Sequence, residues 1–119
     1  MTEIYIEEGV PVIPSLIFKD LPRVGSVTIP ASVTMIGGAA FAGCSNLSSV
    51  VFAKDSELRT LGKYAFYETA LESVVIPASV TAIRKAAFRY CYNLSSVIFA
   101  GNQKLKEIGE WAFCETSLE

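Results

Sequence analysis

The sequence predicts an α/β solenoid, in which one short structural unit is stacked repeatedly, and two observations support this fold class. Residues 26–72 align with residues 73–119 without a gap at an offset of 47, and about 28 of the 47 pairs are identical. Apolar residues make up 51% of the 119-residue chain and charged residues 18%, which is typical of a folded protein. A fixed period in this range is typical of solenoids and repeat arrays.

Each 47-residue half divides again, which gives a structural unit of about 23 residues. An Ala-Phe pair marks every unit, and its phenylalanines are Phe41, Phe66, Phe88 and Phe113. The units alternate in length because a proline ends the strand in one type, whereas a longer polar loop follows it in the other, at 54–57 and 101–104. We expect residues 24–119 to form the repeats, with the last repeat truncated.

A strand is predicted in every unit, because runs of β-branched and aromatic residues are bounded by Pro, Ala, Ser or Gly. The runs are 24–29, 47–52, 71–76 and 94–99. Alternate residues of a strand face opposite sides. The residues expected to point into the core are Val50, Phe52, Val74, Ile76, Val97 and Phe99. The residues expected to form the outward face are Ser26, Thr28, Ser49, Val51, Ser73, Val75, Ser96 and Ile98.

The second half of each unit is predicted to be a short helical or 3₁₀ turn, because Val33 and Ile36 are three residues apart and an Ala-Phe pair follows. The four phenylalanines should then form one column. Stacking of neighbouring units in register explains a bulky ring in every unit better than an aromatic ligand-binding face does.

The segment 71–94 resembles the repeat of the BspA-like leucine-rich repeat family. The matching residues are Leu71, Val74, Ile76, Pro77, Ser79, Val80, Ile83, Ala87, Phe88, Cys91 and Leu94. The resemblance covers residues 24–119. Residues 1–23 depart from it and are expected to be an N-terminal cap or a degenerate repeat, with the apolar run 16–18 out of register.

The resemblance implies a right-handed arc, with a parallel sheet on its concave side and helical turns on its convex side. It also implies a role in protein–protein interaction or adhesion, at the cell surface or after secretion, and it supplies no catalytic residues. Members of the family occur on the surfaces of bacteria and parasitic protists.

Several function classes find no support in the composition. The net charge of −2 lacks the basic excess of a nucleic-acid-binding protein. There is no apolar run long enough to cross a membrane, and the acidic start, 1–8, does not resemble a signal peptide. The chain contains no histidine, phosphate-binding loop or clustered carboxylate pair. We therefore predict no enzyme activity, no cofactor and no membrane insertion.

Three cysteines are present, Cys44, Cys91 and Cys114, at spacings that fit no common zinc site. Cys44 and Cys91 occupy the same slot two units apart, which places them about 10 Å apart and beyond disulfide reach. We interpret them as small buried residues. A reactive thiol is the alternative.

The outward face of the strands is the best candidate binding site, because it is an uncharged, partly apolar strip on a rigid sheet. A protein ligand is expected, with a glycan as the alternative. A structural spacer or self-assembly module without a ligand on this face is the competing interpretation. The strip contains no Trp, Tyr or Arg, which are the usual binding hot-spot residues.

A second candidate group lies near the Ala-Phe pairs, on the side expected to be convex. It consists of Tyr64, Tyr67, Tyr90, Tyr92 and Trp111. Tyr64 and Trp111 share a slot with Ala39 and Ala86, and this alternation of large and small residues suits packing between units. A binding patch is the alternative.

Some polar residues need no functional role. Arg84, Lys85 and Arg89 are interpreted as a solvated basic cluster. Asn46 and Asn93 precede the strands and are expected to hydrogen-bond the backbone at a turn.

Glu119 aligns with Glu72, which a strand follows, so the last unit lacks its strand. We expect either that the native protein is longer or that two copies form a homodimer through this open C-terminal end.

Overall fold

The computed structural model describes residues 2–118 and shows a parallel-strand β-solenoid of about five turns. Each turn contributes one long and one short strand. The long strands form the ribbon and are β1 (Thr2–Tyr5), β3 (Val24–Ile29), β5 (Ser49–Phe52), β7 (Ser73–Ile76) and β9 (Ser96–Phe99). The short strands are β2 (Val12–Ile13), β4 (Met35–Ile36), β6 (Thr60–Leu61), β8 (Ala82–Ile83) and β10 (Glu107–Ile108).

All strand pairs are parallel and join neighbouring turns. The short strands form one sheet in the order β2-β4-β6-β8-β10, which the sequence analysis did not predict. The long strands form two sheets, β1-β3-β5 and β7-β9. β5 and β7 are neighbours in space, but no strand ladder joins them. In register, Val27 lies opposite Val50 and Val74 lies opposite Val97.

The alternation of the long strands is confirmed in the interior of the solenoid. Val50, Val74 and Ile76 are buried, and Phe52 and Val97 are partly buried against the core. The expectation for Phe99 is wrong, because its side chain is 39% exposed. Phe99 lies on β9, and no strand within residues 2–118 covers the outer side of that strand.

A column of phenylalanine rings runs through the core, as predicted. Phe41, Phe66, Phe88 and Phe113 stack with successive centroids 5.3–5.4 Å apart, within the usual range for offset aromatic pairs. Phe18 adds a fifth ring, 5.3 Å from Phe41. The expectation that this first apolar run is out of register is therefore wrong for Phe18.

The predicted helical turns are absent from residues 2–118. The segment that replaces the helical turn in each unit is called the arc. The arcs are residues 37–44 in the second turn, 62–69 in the third and 84–91 in the fourth. Two residues of each arc have a positive φ, for example Ala39 (φ 56°) and Gly43 (φ 74°). A right-handed helix does not accommodate residues of this conformation, so each arc is a chain of tight turns instead.

Hydrogen bonds explain why the arc is stable without a helix. The Ala40 N–H donates to the Gly37 carbonyl at 3.2 Å within the arc, whereas the Phe41 N–H donates to Ala65 of the next turn at 2.9 Å. The same alternation recurs in the neighbouring arcs. The arcs therefore form a third hydrogen-bonded surface along the solenoid.

Within residues 2–118, the structure contains no helix that is long and apolar enough to span a membrane.

Candidate functional site

The ribbon face is the set of eight outward residues predicted from the strands. In the structure they form two rows, which are in register within each of the two long-strand sheets. Ser26 lies opposite Ser49 and Thr28 opposite Val51. The same two rows continue in β7 and β9, where Ser73 faces Ser96 and Val75 faces Ile98. The serine row is mostly half-buried, and the other row is exposed. The side chains of Val51, Val75 and Ile98 are 53%, 49% and 55% exposed.

The first strand extends both rows of the ribbon face. Glu3 lies opposite Ser26, and Tyr5 lies opposite Thr28. Tyr5 is 82% exposed, so the exposed row carries an aromatic residue of the kind common in binding hot spots. Neither residue was predicted, because residues 1–23 were expected to be a cap or a degenerate repeat. Ile4 and Ile6 alternate with them and pack against the core.

The exposed row leads into a groove at the carboxyl ends of β5 and β7. This groove has a volume of about 430 Å³ and is lined mainly by apolar and small residues. They include Phe52, Ala53, Val75, Pro77, Ala78 and Ala100. Lys54 is the charged residue in its wall. Val75 therefore belongs to both the exposed row and the groove.

The aromatic residues of the third to fifth turns form a connected group, which we call the arc patch. Tyr64 packs edge-on against Tyr67 at 5.3 Å, and Tyr67 packs edge-on against Tyr90 at 5.4 Å. Tyr90 stacks with Tyr92 at 5.8 Å. Trp111 joins this group through the Arg89 guanidinium, which contacts both Tyr90 and Trp111. Trp111 is 44% exposed and Tyr92 is 60% exposed. The patch is continuous across three turns.

Two of the three basic residues lie on aromatic rings. The Arg89 guanidinium is 4.7 Å from the Tyr90 ring and 4.5 Å from the Trp111 ring. The Lys85 ammonium is 5.0 Å from Trp111. Arg84 pairs instead with Glu107 on the surface. The interpretation as a solvated cluster is therefore wrong for Arg89, which is half-buried between two rings.

Cys44 and Cys91 are fully buried, as the sequence analysis expected. Each thiol also donates a hydrogen bond to a carbonyl of the preceding turn, Cys44 to Phe18 at 3.1 Å and Cys91 to Phe66 at 3.0 Å. Burial raises the pKa of both thiols, which lowers the fraction of reactive thiolate. Their role is to join neighbouring turns, and the reactive-thiol alternative does not suit them.

Asn46 and Asn93 differ in their side-chain hydrogen bonds. The Asn46 amide donates to the Pro22 carbonyl, as expected. The Asn93 amide is exposed and forms no side-chain hydrogen bond within residues 2–118. No group of three or more His, Cys, Asp or Glu side chains in the described chain could hold a metal ion.

The leucines that precede the long strands, Leu47, Leu71 and Leu94, are fully buried. Together with the stacked turns and the phenylalanine column, they define a leucine-rich repeat protein of the solenoid class. The profile of the BspA type Leucine rich repeat region matches residues 11–119 with six copies. The chain belongs to this family, as its sequence motif indicates. No curated protein matches the chain significantly.

Solved structures of bacterial proteins have the same fold. A leucine-rich repeat protein from Bacteroides capillosus ATCC 29799 is 31% identical with a TM-score of 0.73, over 83% of this chain and 77% of that one. The pneumococcal vaccine antigen PcpA is 22% identical with a TM-score of 0.84, over 98% of this chain. A leucine-rich cell surface protein from Faecalibacterium prausnitzii A2-165 is 23% identical with a TM-score of 0.58, over 98% of this chain.

This chain spans only part of two of these proteins. It covers 38% of the pneumococcal antigen and 48% of the Faecalibacterium protein. The similarity to those two therefore concerns the fold.

Proposed function

We propose that this chain is a non-enzymatic interaction module of the cell surface, which binds a protein partner on the ribbon face. The main support for this proposal is the exposed row of the ribbon face. Val51, Val75 and Ile98 follow one another in it, and each is about half exposed. Isolated exposed apolar residues are ordinary, but a contiguous apolar row on rigid strands is typical of an interaction site.

The surroundings of the row favour a protein over a glycan as its ligand. The row is uncharged and aliphatic, and the groove beside Val75 could accept an apolar side chain of a partner. Tyr5 is the aromatic residue of this row, so a sugar ring would find little aromatic surface there. A cell-surface location is supported by two proteins of similar structure, which are a cell surface protein and a vaccine antigen. The family is typically non-catalytic.

Replacement of Val75 by arginine tests this proposal. The partner is first isolated with the wild-type chain as bait and identified by mass spectrometry, and its Kd is then measured by calorimetry. Val75→Arg should weaken binding by at least about tenfold, because a charge would have to lose its water against an apolar partner. The melting temperature should change little, since Val75 is 49% exposed.

Val75→Thr is the matched control, because Thr28 already occupies the same row. This variant should bind the partner with nearly the wild-type Kd. An unchanged Kd for Val75→Arg would overturn the proposal. If the wild-type chain captures no partner, the structural spacer becomes the better interpretation.

Self-association is the second candidate, and exposed apolar residues at the last turn favour it. Phe99, Ile108 and Trp111 are 39%, 52% and 44% exposed. The outer sides of β9 and β10 have no partner strand within residues 2–118, and unpaired edges are common sites of association.

A homodimer through this C-terminal end predicts a concentration-dependent mass for the 119-residue chain in light scattering. Ile108→Glu should shift the equilibrium to the monomer, because it places a carboxylate in the contact. A wild-type chain that stays monomeric at millimolar concentration would contradict this second candidate.

A further inference from the structure

The second and fourth turns differ in side-chain size along the arc and just after it. At the offset of 47, five small residues of the second turn are replaced by large ones in the fourth turn: Gly37 by Arg84, Gly38 by Lys85, Ala42 by Arg89, Gly43 by Tyr90 and Ser45 by Tyr92. The buried neighbours Phe41, Cys44 and Leu47 are repeated unchanged as Phe88, Cys91 and Leu94. The second turn shows that the fold needs no large side chains at these positions.

Tyr90 is the most informative of these replacements. Its φ is 63°, and Gly43 at the corresponding position has a φ of 74°. Glycine adopts this left-handed conformation readily, whereas a bulky residue adopts it at a cost in free energy. The equivalent residues of the other turns, Asp20, Glu68 and Glu115, also have a positive φ, so this conformation belongs to the arc. The tyrosine adds an aromatic ring that the conformation does not require, since glycine adopts it in the second turn.

Tyr90 and Tyr92 form one side of a surface cavity of about 250 Å³. The polar residues in its lining are Ser45, Glu68, Thr69 and Asn93. The cavity thus spans the second, third and fourth turns. Its volume lies just below the range of about 300–1,000 Å³ that is typical of pockets for drug-sized ligands, so it suits a ligand with a single ring.

The polar groups of the cavity have unused hydrogen-bonding capacity. Glu68 forms no ion pair within residues 2–118, and the Asn93 amide has no side-chain hydrogen bond there. Thr69 is 5% exposed, and its hydroxyl lies 3.2 Å from the Cys91 sulfur. Because the Cys91 thiol donates to the Phe66 carbonyl, Thr69 acts as the donor to the sulfur. Its hydroxyl oxygen remains able to accept.

We propose that this cavity binds a neutral hexopyranose unit of a glycan. Tyr92 is 60% exposed, and its electron-rich ring face attracts the weakly positive C–H groups of a sugar ring. Tyr90 already contacts Arg89 and stacks with Tyr92, so it supports the Tyr92 ring. Sugar hydroxyls both donate and accept, and the lining offers both functions: Glu68 accepts, and Asn93 does both. This site lies at the carboxyl ends of the arcs, and none of its lining residues belongs to the ribbon face.

Charged ligands fit the cavity less well. An anion would face the Glu68 carboxylate, and neither Lys nor Arg is part of the lining. A cation would approach Tyr90, whose ring already lies 4.7 Å from the Arg89 guanidinium. A neutral polyhydroxyl ring avoids both repulsions.

A titration followed by amide NMR tests the proposal with defined probes. The neutral probes are methyl β-D-glucopyranoside, methyl β-D-galactopyranoside, methyl α-D-mannopyranoside and N-acetylglucosamine; choline and N-acetylneuraminate are the charged probes. At least one neutral probe should shift the amide signals of Ser45, Glu68 and Tyr90, with a Kd on the order of 1 mM. The absence of such shifts, or tighter binding of a charged probe, would overturn it.

Variants separate binding from packing. The double variant Tyr90→Gly and Tyr92→Ser restores the residues of the second turn, so it should lose the shifts while its melting temperature stays the same or rises. Asn93→Ala removes an exposed amide and should weaken binding by about tenfold without a change in melting temperature. Tyr64→Ala is the control, because Tyr64 lies outside the cavity and its slot holds Ala39 in the second turn. Wild-type affinity in the double variant or in Asn93→Ala would refute the proposed site.

Discussion

Phe66→Ala should lower the free energy of unfolding by about 3–5 kcal/mol, the usual cost of truncating a fully buried aromatic residue. The Phe66 side chain is completely buried and stacks on Phe41 at 5.3 Å and on Phe88 at 5.4 Å. Its loss would leave a cavity at two interfaces between turns, and a solenoid depends on such nearest-neighbour interfaces. The loss is large relative to the total of about 5–15 kcal/mol typical of a folded domain.

Urea unfolding followed by circular dichroism measures this effect. Phe113→Ala is the matched control, because Phe113 is only half-buried and stacks on Phe88 at the end of the described column. Its loss should be clearly smaller. Equal losses for the two variants, or a loss below about 1 kcal/mol for Phe66→Ala, would mean that the column does not carry the stability.

The sequence was sufficient to predict the column and the long strands, because both rest on strong periodic signals. Phenylalanines at spacings of 25, 22 and 25 residues can only be buried together if the units stack in register. Alternation within the strands assigned Val50 and Val74 correctly to the core. The same alternation placed the eight residues of the ribbon face on one surface, although it does not establish what they bind.

The arcs could not be predicted in the same way. Their path depends on left-handed residues, and these include Ala39, Tyr64, Ala86 and Trp111. None of these residue types favours a positive φ, so the helical turn was the reasonable expectation from propensity. The hydrogen bonds to the next turn select the observed conformation, and they exist only once the units are stacked.

The place of Phe18 in the column was not predicted, because residues 1–23 lack the Ala-Phe pair. A spacing of 23 residues between Phe18 and Phe41 was the available signal, and the structure places the two rings 5.3 Å apart. The continuity of the arc patch could not be predicted from the sequence either. Contacts such as Tyr67 with Tyr90 depend on side-chain directions in neighbouring turns, which spacing within one unit does not reveal.

Val74→Asp should lower the free energy of unfolding by about as much as Phe66→Ala, because it places a carboxyl group in the core. Val74 is 2% exposed, whereas its neighbour Val75 is 49% exposed. A buried carboxyl can have its pKa raised by about 3 units, and each unit corresponds to about 1.4 kcal/mol. We expect a loss of about 4 kcal/mol at pH 7, or complete unfolding, whereas Val75→Asp should lose less than about 0.5 kcal/mol.

The pH dependence of Val74→Asp distinguishes a buried charge from a simple loss of packing. The introduced carboxyl ionises near pH 4 in the unfolded chain, but its raised pKa keeps it protonated in the folded protein. The unfolded state therefore binds fewer protons above pH 4, and the stability relative to wild type falls as the pH rises from 4 to 7. Urea unfolding of both variants at pH 4 and pH 7 measures this. A pH-independent loss, or equal losses at positions 74 and 75, would contradict the strand register on which the ribbon face depends.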